Sequence, residues 1–349
     1  MADISEQLRK AFVHAAQSSD IEVEDRFFQQ FIYKDAATKA HAFSLTINNK
    51  IALLQHCREL NSQAYERICK GYPYVWIGLA AFLAHDYETG VFFIDAAASE
   101  DAKHRQRLPP CHPILASDFL KLKKNGVNSD VDDLIAGAEE RLGTLIKDYN
   151  NLAENAGELT IDSVRKYFLL PAVDQDKPSW RSLATTLISF VLEWEDRCQW
   201  LELRPDYGTA EPFFLHLLKG CLLFESLLKQ KSRLKSKSTL KCFLNELHAE
   251  LGIPRSLDIS APCFEDVIKD VNSAEPMTII RIIQITGKSR NTLGHDLGWI
   301  SADENKFVLE KSAYDRLVRT VGASCLHAIA RLYRDHSDQG AKLGDGASR

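Results

Sequence analysis

The sequence predicts an all-α protein with an N-terminal helical domain and a C-terminal helical bundle, and three observations lead to this expectation. Apolar residues recur at spacings of three and four along almost the whole chain, which is the repeat of an amphipathic helix. Alternating strand-like runs bounded by Asn-Gly or Asp-Gly turns are nearly absent. The 349 residues, 45 % hydrophobic and 26 % charged, suffice for one large or two ordinary domains with hydrophobic cores.

In the N-terminal half, residues 76–98 have the pattern of a helical hairpin. The small residues Gly78, Ala80 and Ala81 would let two helices approach closely, and large residues would fill the groove between them. The segment resembles one hairpin of a tetratricopeptide-like repeat. An ordinary helix pair in a bundle is the alternative, because no second copy follows at the expected period and solenoids generally need three or more repeats.

Proline and polar residues concentrate at residues 171–178, where we expect a linker between two domains. We therefore predict an N-terminal helical domain over residues 1–172 and a C-terminal helical domain over residues 173–336. A second break at residues 204–212 is expected to be a loop inside the C-terminal domain. The tail, residues 337–349, is rich in Gly, Ser and Asp, has little to bury and is predicted to be disordered.

Apolar stripes predict the helices of the C-terminal half. The first should begin at Glu211-Pro212, because proline is favoured in the first turn of a helix. The stripes are Leu217, Cys221, Phe224 and Leu228; Leu240, Phe243, Leu244 and Leu247; and Tyr314, Leu317, Val321, Ala328 and Leu332. In the preceding helix, Phe190, Trp194 and Trp200 are expected in the core, and the carboxylates of residues 193–196 are expected on a solvated face.

Composition excludes several classes of protein. The acidic N-terminus and the shortness of the longest apolar run predict neither a signal peptide nor a membrane span. The eight cysteines occur singly, without C-x-x-C, which is typical of reduced, mostly buried thiols in a cytoplasmic protein. No two histidines are four residues apart, so no metal site is expected. The absence of a P-loop, a G-x-G-x-x-G and a G-x-S-x-G argues against nucleotide hydrolysis, dinucleotide redox chemistry and serine hydrolysis.

The most informative string is residues 279–298, which contains Arg290-Asn-Thr-Leu-Gly-His295. It resembles the signature of the HEPN superfamily, in which four to six residues separate an Arg from a His and Asn often follows the Arg. The same spacing occurs at residues 107–112 and 331–336. Only residues 290–295 have the Asn, follow an apolar helix and lie between two helical segments and one long final helix. The resemblance implies a HEPN-like four-helix bundle.

The resemblance also implies a metal-independent endoribonuclease that needs no cofactor. Attack by the ribose 2′-hydroxyl on the adjacent phosphate would leave a 2′,3′-cyclic phosphate and a 5′-hydroxyl. His295 would transfer protons, since an imidazole titrates near neutral pH. Arg290 would bind the phosphate through its permanently charged guanidinium, and Asn291 would orient the histidine or hold a phosphate oxygen. In the alternative, both residues have only a structural role at the end of a helix. Arg290 would interact favourably with the helix dipole, and His295 would cap the helix or pair with Asp296.

Residues five apart on a regular helix point about 140° away from each other. Gly287 and Gly294 flank the motif and would permit a bend or an early helix end. Otherwise two protomers would each contribute an Arg and a His to one composite groove. The resemblance implies such a homodimer with two-fold symmetry and an inactive monomer.

The net charge of −5 argues against a uniformly basic nucleic-acid-binding coat, but it permits a local basic strip. Between residues 226 and 245 there are six basic residues and no acidic residue. They are Lys229, Lys231, Arg233, Lys235, Lys237 and Lys241. An exposed cationic loop of this kind would follow an RNA backbone by charge alone. A solvated connector is the alternative, and no interleaved aromatic residue supports base stacking.

The resemblance to the HEPN superfamily implies an RNA-cleaving effector, similar to prokaryotic toxins or antiviral defence nucleases, whose N-terminal domain senses, recruits or restrains. The alternative is a non-catalytic helical adaptor in which the Arg–His pair only shapes a dimer. A third hypothesis adds a separate partner, an antitoxin or a sensor subunit.

Overall fold

The computed structural model describes residues 2–18, 20–30, 43–108, 115–124, 126, 129–152, 158–174, 178–203, 209–234, 238–295 and 309–334. All regular secondary structure within these ranges is helical, which confirms the predicted all-α class. None of the helices in the described part of the chain combines the length and the apolar character needed to cross a membrane.

The chain divides into two compact units, Met1–Asp132 and Asp133–Arg349. The division precedes the boundary predicted at residues 172 and 173, so residues 133–172 group with the second unit. Residues 171–174 of the predicted linker are helical. Pro171 cannot donate to a carbonyl one turn back, and the helix widens to a π-helical turn, Arg165–Leu169, immediately before this segment. Residues 175–177 and the predicted disordered tail lie outside the described ranges.

The first unit contains seven helices among its described residues. They are α1 (Ala2–Ser18), α2 (Ile21–Phe28), α3 (Phe43–Leu60), α4 (Ser62–Arg67), α5 (Gly71–Leu83), α6 (Tyr87–His104) and α7 (Leu115–Leu120). Helix α8 (Ser129–Leu152) follows and lies mostly in the second unit.

Helices α5 and α6 form the helical hairpin predicted from residues 76–98. Gly78 permits their close approach, because a Cβ atom there would lie 2.9 Å from Cγ1 of Ile94. Asp86 caps α6 by accepting a hydrogen bond from the main-chain N–H of Thr89 at 3.2 Å. The hairpin is thus a closely packed helix pair, and its resemblance to a tetratricopeptide repeat stays a prediction.

The second unit continues with nine further helices in the described ranges. They are α9 (Ile161–Val164), α10 (Leu170–Asp174), α11 (Pro178–Leu203), α12 (Glu211–Lys231), α13 (Leu240–Glu246), α14 (His248–Leu251), α15 (Phe264–Asn272), α16 (Ile279–His295) and α17 (Lys311–Leu332).

Four long helices of this unit, α11, α12, α16 and α17, pack around a common core. Helix α12 contacts the other three, and α17 contacts both α11 and α16. Gly220 of α12 lies at a tight crossing, because a Cβ atom there would lie 2.5 Å from Cε2 of Phe190 and 2.7 Å from Cγ1 of Val321. The predicted stripe of α12 is buried, and Pro212 stands in its first turn.

The stripe at residues 240–247 is also buried, but the predicted single helix is interrupted at Leu247, between α13 and α14. The stripe of α17 is buried except for the half-buried Leu332 near the end of the helix. All cysteines in the described ranges carry free thiols, and Cys57, Cys69, Cys198, Cys221 and Cys325 are buried, as expected.

Two expectations about α11 were wrong. The side chain of Glu193 is only 1 % exposed instead of solvated, because Lys219 of α12 forms an ion pair with its carboxylate. Arg197 contributes a second positive charge, with Nε 3.7 Å from Oε2 of Glu193. Trp200 was expected in the core, but it is 39 % exposed and stacks with the guanidinium of Arg197 at 4.7 Å.

A buried histidine lies beside this ion pair. His216 donates from Nε2 to the carbonyl of Phe190 at 2.8 Å, and its Nδ1 lies 2.6 Å from the hydroxyl of Tyr314. Burial lowers the pKa of His216 to about 3, so the ring is neutral near pH 7 and Nδ1 accepts the hydroxyl proton. The interior of this bundle therefore contains a polar network as well as apolar side chains.

Candidate active site

Helix α16 carries the motif at its C-terminal end. Its inner face is built from buried isoleucines, and Ile282, Ile283 and Ile285 anchor it in the bundle. At its start, the hydroxyl of Thr278 accepts from the main-chain N–H of Arg281 at 3.3 Å. These contacts fix the helix that positions residues 290–295.

The helix continues through both glycines and ends at His295. Gly287 allows close packing, because a Cβ atom there would lie 2.6 Å from Cγ2 of Ile259. Positions 290 and 295 are therefore rotated by about 140° around one helix axis. The side chain of His295 lies outside the described part of the structure, and its role stays a prediction.

Arg290 is held by an ion pair with Glu225 of α12. Its Nε donates to Oε2 at 2.6 Å and its Nη2 to Oε1 at 3.4 Å. The side chain of Arg290 is 26 % exposed, and that of Glu225 is 15 % exposed. The guanidinium has five N–H donors, of which this pair uses two. Among the described residues, Arg290 thus has a fixed orientation, and three of its donors take no part in the pair with Glu225.

Glu225 was not among the residues predicted for the site. It lies 65 residues before Arg290 in the chain, so no local spacing connects the two. One signal was present, since Glu225 is the only acidic residue between Lys219 and Lys241.

The side-chain amide of Asn291 contacts a main-chain carbonyl. Its Nδ2 donates to the carbonyl of Ile259 at 3.0 Å, which joins α16 to the segment between α14 and α15. The structure therefore gives Asn291 a packing contact in addition to any part in catalysis. The expected contact of Asn291 with His295 or a phosphate stays a prediction.

An apolar stripe runs along the outer face of α12 towards the Arg290–Glu225 pair. Leu215 and Leu222 are each 44 % exposed, and Leu218 between them is half-buried. Their spacing of three and four residues places them on one face of the helix, and Glu225 is the next position of that face. We call Leu215, Leu218 and Leu222 the α12 stripe.

The predicted basic residues do not form one uniform loop. Lys229, Arg233 and Lys241 are exposed, whereas Lys235 and Lys237 lie outside the described residues. Lys231 is half-buried, with its ammonium 4.3 Å from the ring centre of Tyr333. Lys231 therefore contacts an aromatic side chain in addition to any phosphate that it would bind.

The segment that follows α12 is anchored by an acid of α13. The carboxylate of Glu246 accepts a hydrogen bond from the main-chain N–H of Arg233 at 2.9 Å and another from the hydroxyl of Ser232. The main chain at Arg233 is therefore held by a hydrogen bond, and Lys229 lies in the last turn of α12. Their part in RNA binding stays a prediction.

The chain matches no protein-family model, and neither a curated protein nor a solved structure is significantly similar to it. The resemblance of residues 290–295 and their helical context to the HEPN superfamily therefore stays a prediction.

Proposed function

We propose that the second unit is a metal-independent endoribonuclease that acts as a homodimer. The observation that carries this proposal is Arg290, whose guanidinium is oriented by Glu225, partly exposed and only partly used. A guanidinium with spare donors binds phosphate oxygens in a bidentate manner. The motif at the end of α16 supplies the histidine that such a reaction needs.

The reaction proceeds by attack of a ribose 2′-hydroxyl on the adjacent phosphorus. The 2′-oxygen loses its proton to an imidazole, and an imidazolium returns a proton to the departing 5′-oxygen. In this proposal His295 moves these protons, and Arg290 stabilises the negative charge that develops on the non-bridging oxygens. The exposed Lys229, Arg233 and Lys241 contribute sequence-independent affinity for the RNA backbone, and Lys235 and Lys237 would add to it.

The homodimer is supported by the α12 stripe. Two leucines that are 44 % exposed on one helix face form a patch that a second copy would cover favourably. Because Glu225 lies on the same face, the second copy would approach the Arg290–Glu225 pair. A two-fold arrangement then offers each groove an Arg and a His from both protomers, which overcomes their angular separation on a single helix.

A ribonuclease that cleaved essential RNA of its own cell without control would harm that cell. We therefore propose a prokaryotic toxin or antiviral defence effector in the cytoplasm, restrained by its first unit or by an antitoxin or sensor partner. The second candidate is a non-catalytic helical adaptor. It is favoured by the fact that Arg290 and Asn291 both make structural contacts, with Glu225 and with the carbonyl of Ile259.

A cleavage assay separates the two candidates. Purified full-length wild type, Arg290→Ala and Arg331→Ala would be incubated with end-labelled RNA in EDTA. Arg331 is a matched control, because it also begins an Arg-x4-His spacing, and among the described residues its Nε donates to the main-chain carbonyl of Glu250 at 2.8 Å. We expect cleavage by wild type and Arg331→Ala and its loss in Arg290→Ala. Equal cleavage by all three would overturn the proposal, and no cleavage by wild type would favour the adaptor.

A further inference from the structure

A cleft of about 300 Å³ opens in the second unit at the start of α16, the end of the helix opposite to residues 290–295. Its walls come from residues 148–152 at the end of α8, residues 277–282 at the start of α16 and residues 316–323 of α17. A volume of this size accommodates a small organic molecule. Neither Arg290 nor the basic residues after α12 line it.

The floor of the cleft is apolar. Ile282 and Ala323, which line it, are each only 1 % exposed. Met277 lies half-buried at the rim, where its unbranched side chain can adapt to a bound group. This part of the cleft would exclude water and hold the body of an apolar ligand.

Arg319 brings an oriented guanidinium to the cleft. Its Nε donates to Asp315 and its Nη1 to Asp148, both at 2.7 Å. Its guanidinium carbon lies 4.8 Å from the ring centre of Trp194. These three contacts fix the plane of the group and leave Nη2 outside both ion pairs.

Arg316 adds a second guanidinium one turn earlier on α17. It is exposed, and its Nη1 donates to the amide oxygen of Asn272 at 3.1 Å. That partner is neutral, so it satisfies a donor without offsetting the charge. Asp148 and Asp315 both pair with Arg319, so Arg316 is the arginine of the cleft whose printed partner carries no charge.

We propose that this cleft binds a small organic oxyanion, a carboxylate or a monophosphate joined to an apolar group. Arg316 and Arg319 hold the oxyanion through charge-assisted hydrogen bonds. The apolar group rests on Ile282 and Ala323. The site does not depend on the proposed ribonuclease activity.

Calorimetric titration of the full-length protein tests this inference with four probes. Phenyl phosphate and benzoate carry the oxyanion and the apolar group, benzyl alcohol lacks the charge, and inorganic phosphate lacks the ring. We expect phenyl phosphate or benzoate, or both, to bind more tightly than benzyl alcohol and inorganic phosphate. Which of the two binds more tightly distinguishes a monophosphate site from a carboxylate site.

The variant Arg316→Ala should weaken binding of the preferred probe at least about tenfold, because it removes a charge-assisted contact. Arg316→Lys, which keeps the charge, should weaken it less, and Arg331→Ala should leave it unchanged. The inference is overturned if neither anionic probe binds to the wild type. It is also overturned if Arg316→Ala binds as tightly as wild type, or if benzyl alcohol binds as tightly as the anions.

Discussion

Replacing Lys219 with methionine should destabilise the second unit substantially. The carboxylate of Glu193 is 1 % exposed, and Lys219 forms an ion pair with it. Removing one partner of a buried ion pair typically costs about 3–5 kcal/mol, since the remaining charge keeps its desolvation penalty. Methionine preserves most of the volume of the lysine stem, so the change removes charge rather than packing.

The magnitude can be narrowed from the neighbours of Glu193. His216 cannot replace the lost charge, because burial lowers its pKa to about 3 and keeps it neutral. Arg197 stays beside Glu193 after the substitution and still offsets part of its negative charge, with Nε 3.7 Å from the carboxylate. An attraction of about 4.5 kcal/mol applies at this distance and an effective dielectric constant of about 20. We therefore expect the lower end of the range, about 3 kcal/mol.

Urea unfolding followed by circular dichroism and tryptophan fluorescence measures this loss. The double variant Lys219→Met/Glu193→Gln should recover most of it, because a neutral amide needs no counter-charge. Lys311→Met is the matched control, since Lys311 pairs with Glu202 on the exposed surface at 2.5 Å. If Lys219→Met shifts the unfolding midpoint no more than Lys311→Met does, the reasoning about the buried charge is wrong.

Three further predictions concern packing, pH and the site. Gly220→Ala should lower the free energy of unfolding in urea by about 1–3 kcal/mol, because the new Cβ would lie 2.5 Å from the ring of Phe190 in α11. Gly143→Ala is the control, since the nearest neighbour of its Cβ would lie at 3.7 Å. Equal losses in the two variants would contradict this prediction. Burial lowers the pKa of His327 from 6.5 to about 4, so the unfolded chain takes up the proton first. The free energy of unfolding should therefore fall as pH is lowered from about 6.5 towards 4, and it should fall less steeply in His327→Gln. The same pH dependence in wild type and His327→Gln would contradict this prediction. Glu225→Ala should reduce the rate of RNA cleavage about tenfold, because Arg290 loses the acid that orients it. Glu225→Gln keeps an acceptor for Arg290 and should retain most of the wild-type rate. A Glu225→Ala rate equal to that of wild type would exclude a positioning role for Glu225.

Helix positions and buried stripes followed well from the sequence, because an amphipathic repeat is a local property. The stripe of α12 is buried as predicted, and its first turn contains Pro212. The boundary near residues 171–178 shows the limit of this reasoning. Composition indicated a linker there, but proline is also compatible with helix starts, and Pro178 is the first residue of α11.

The electrostatic partners could not be predicted, because they are far apart in the chain. Glu193 was expected on a solvated face, and only the fold brings Lys219, 26 residues away, to its carboxylate. The pairing of Arg290 with Glu225 spans 65 residues and is equally invisible to local spacing. The motif therefore located the candidate site in the chain, while the structure added the acid that orients its arginine.

The rate of RNA cleavage in EDTA by His295→Ala, relative to wild type, tests the central claim most directly. The product termini are analysed in the same reaction. His248→Ala serves as the control, because His248 is a half-buried histidine of the same unit whose Nδ1 lies 3.0 Å from the carbonyl oxygen of Asn245. We predict wild-type products that end in a 2′,3′-cyclic phosphate and a rate about a hundredfold or more lower in His295→Ala, which is the usual contribution of a proton-transferring side chain. A His295→Ala rate equal to that of wild type would contradict the assignment of this site.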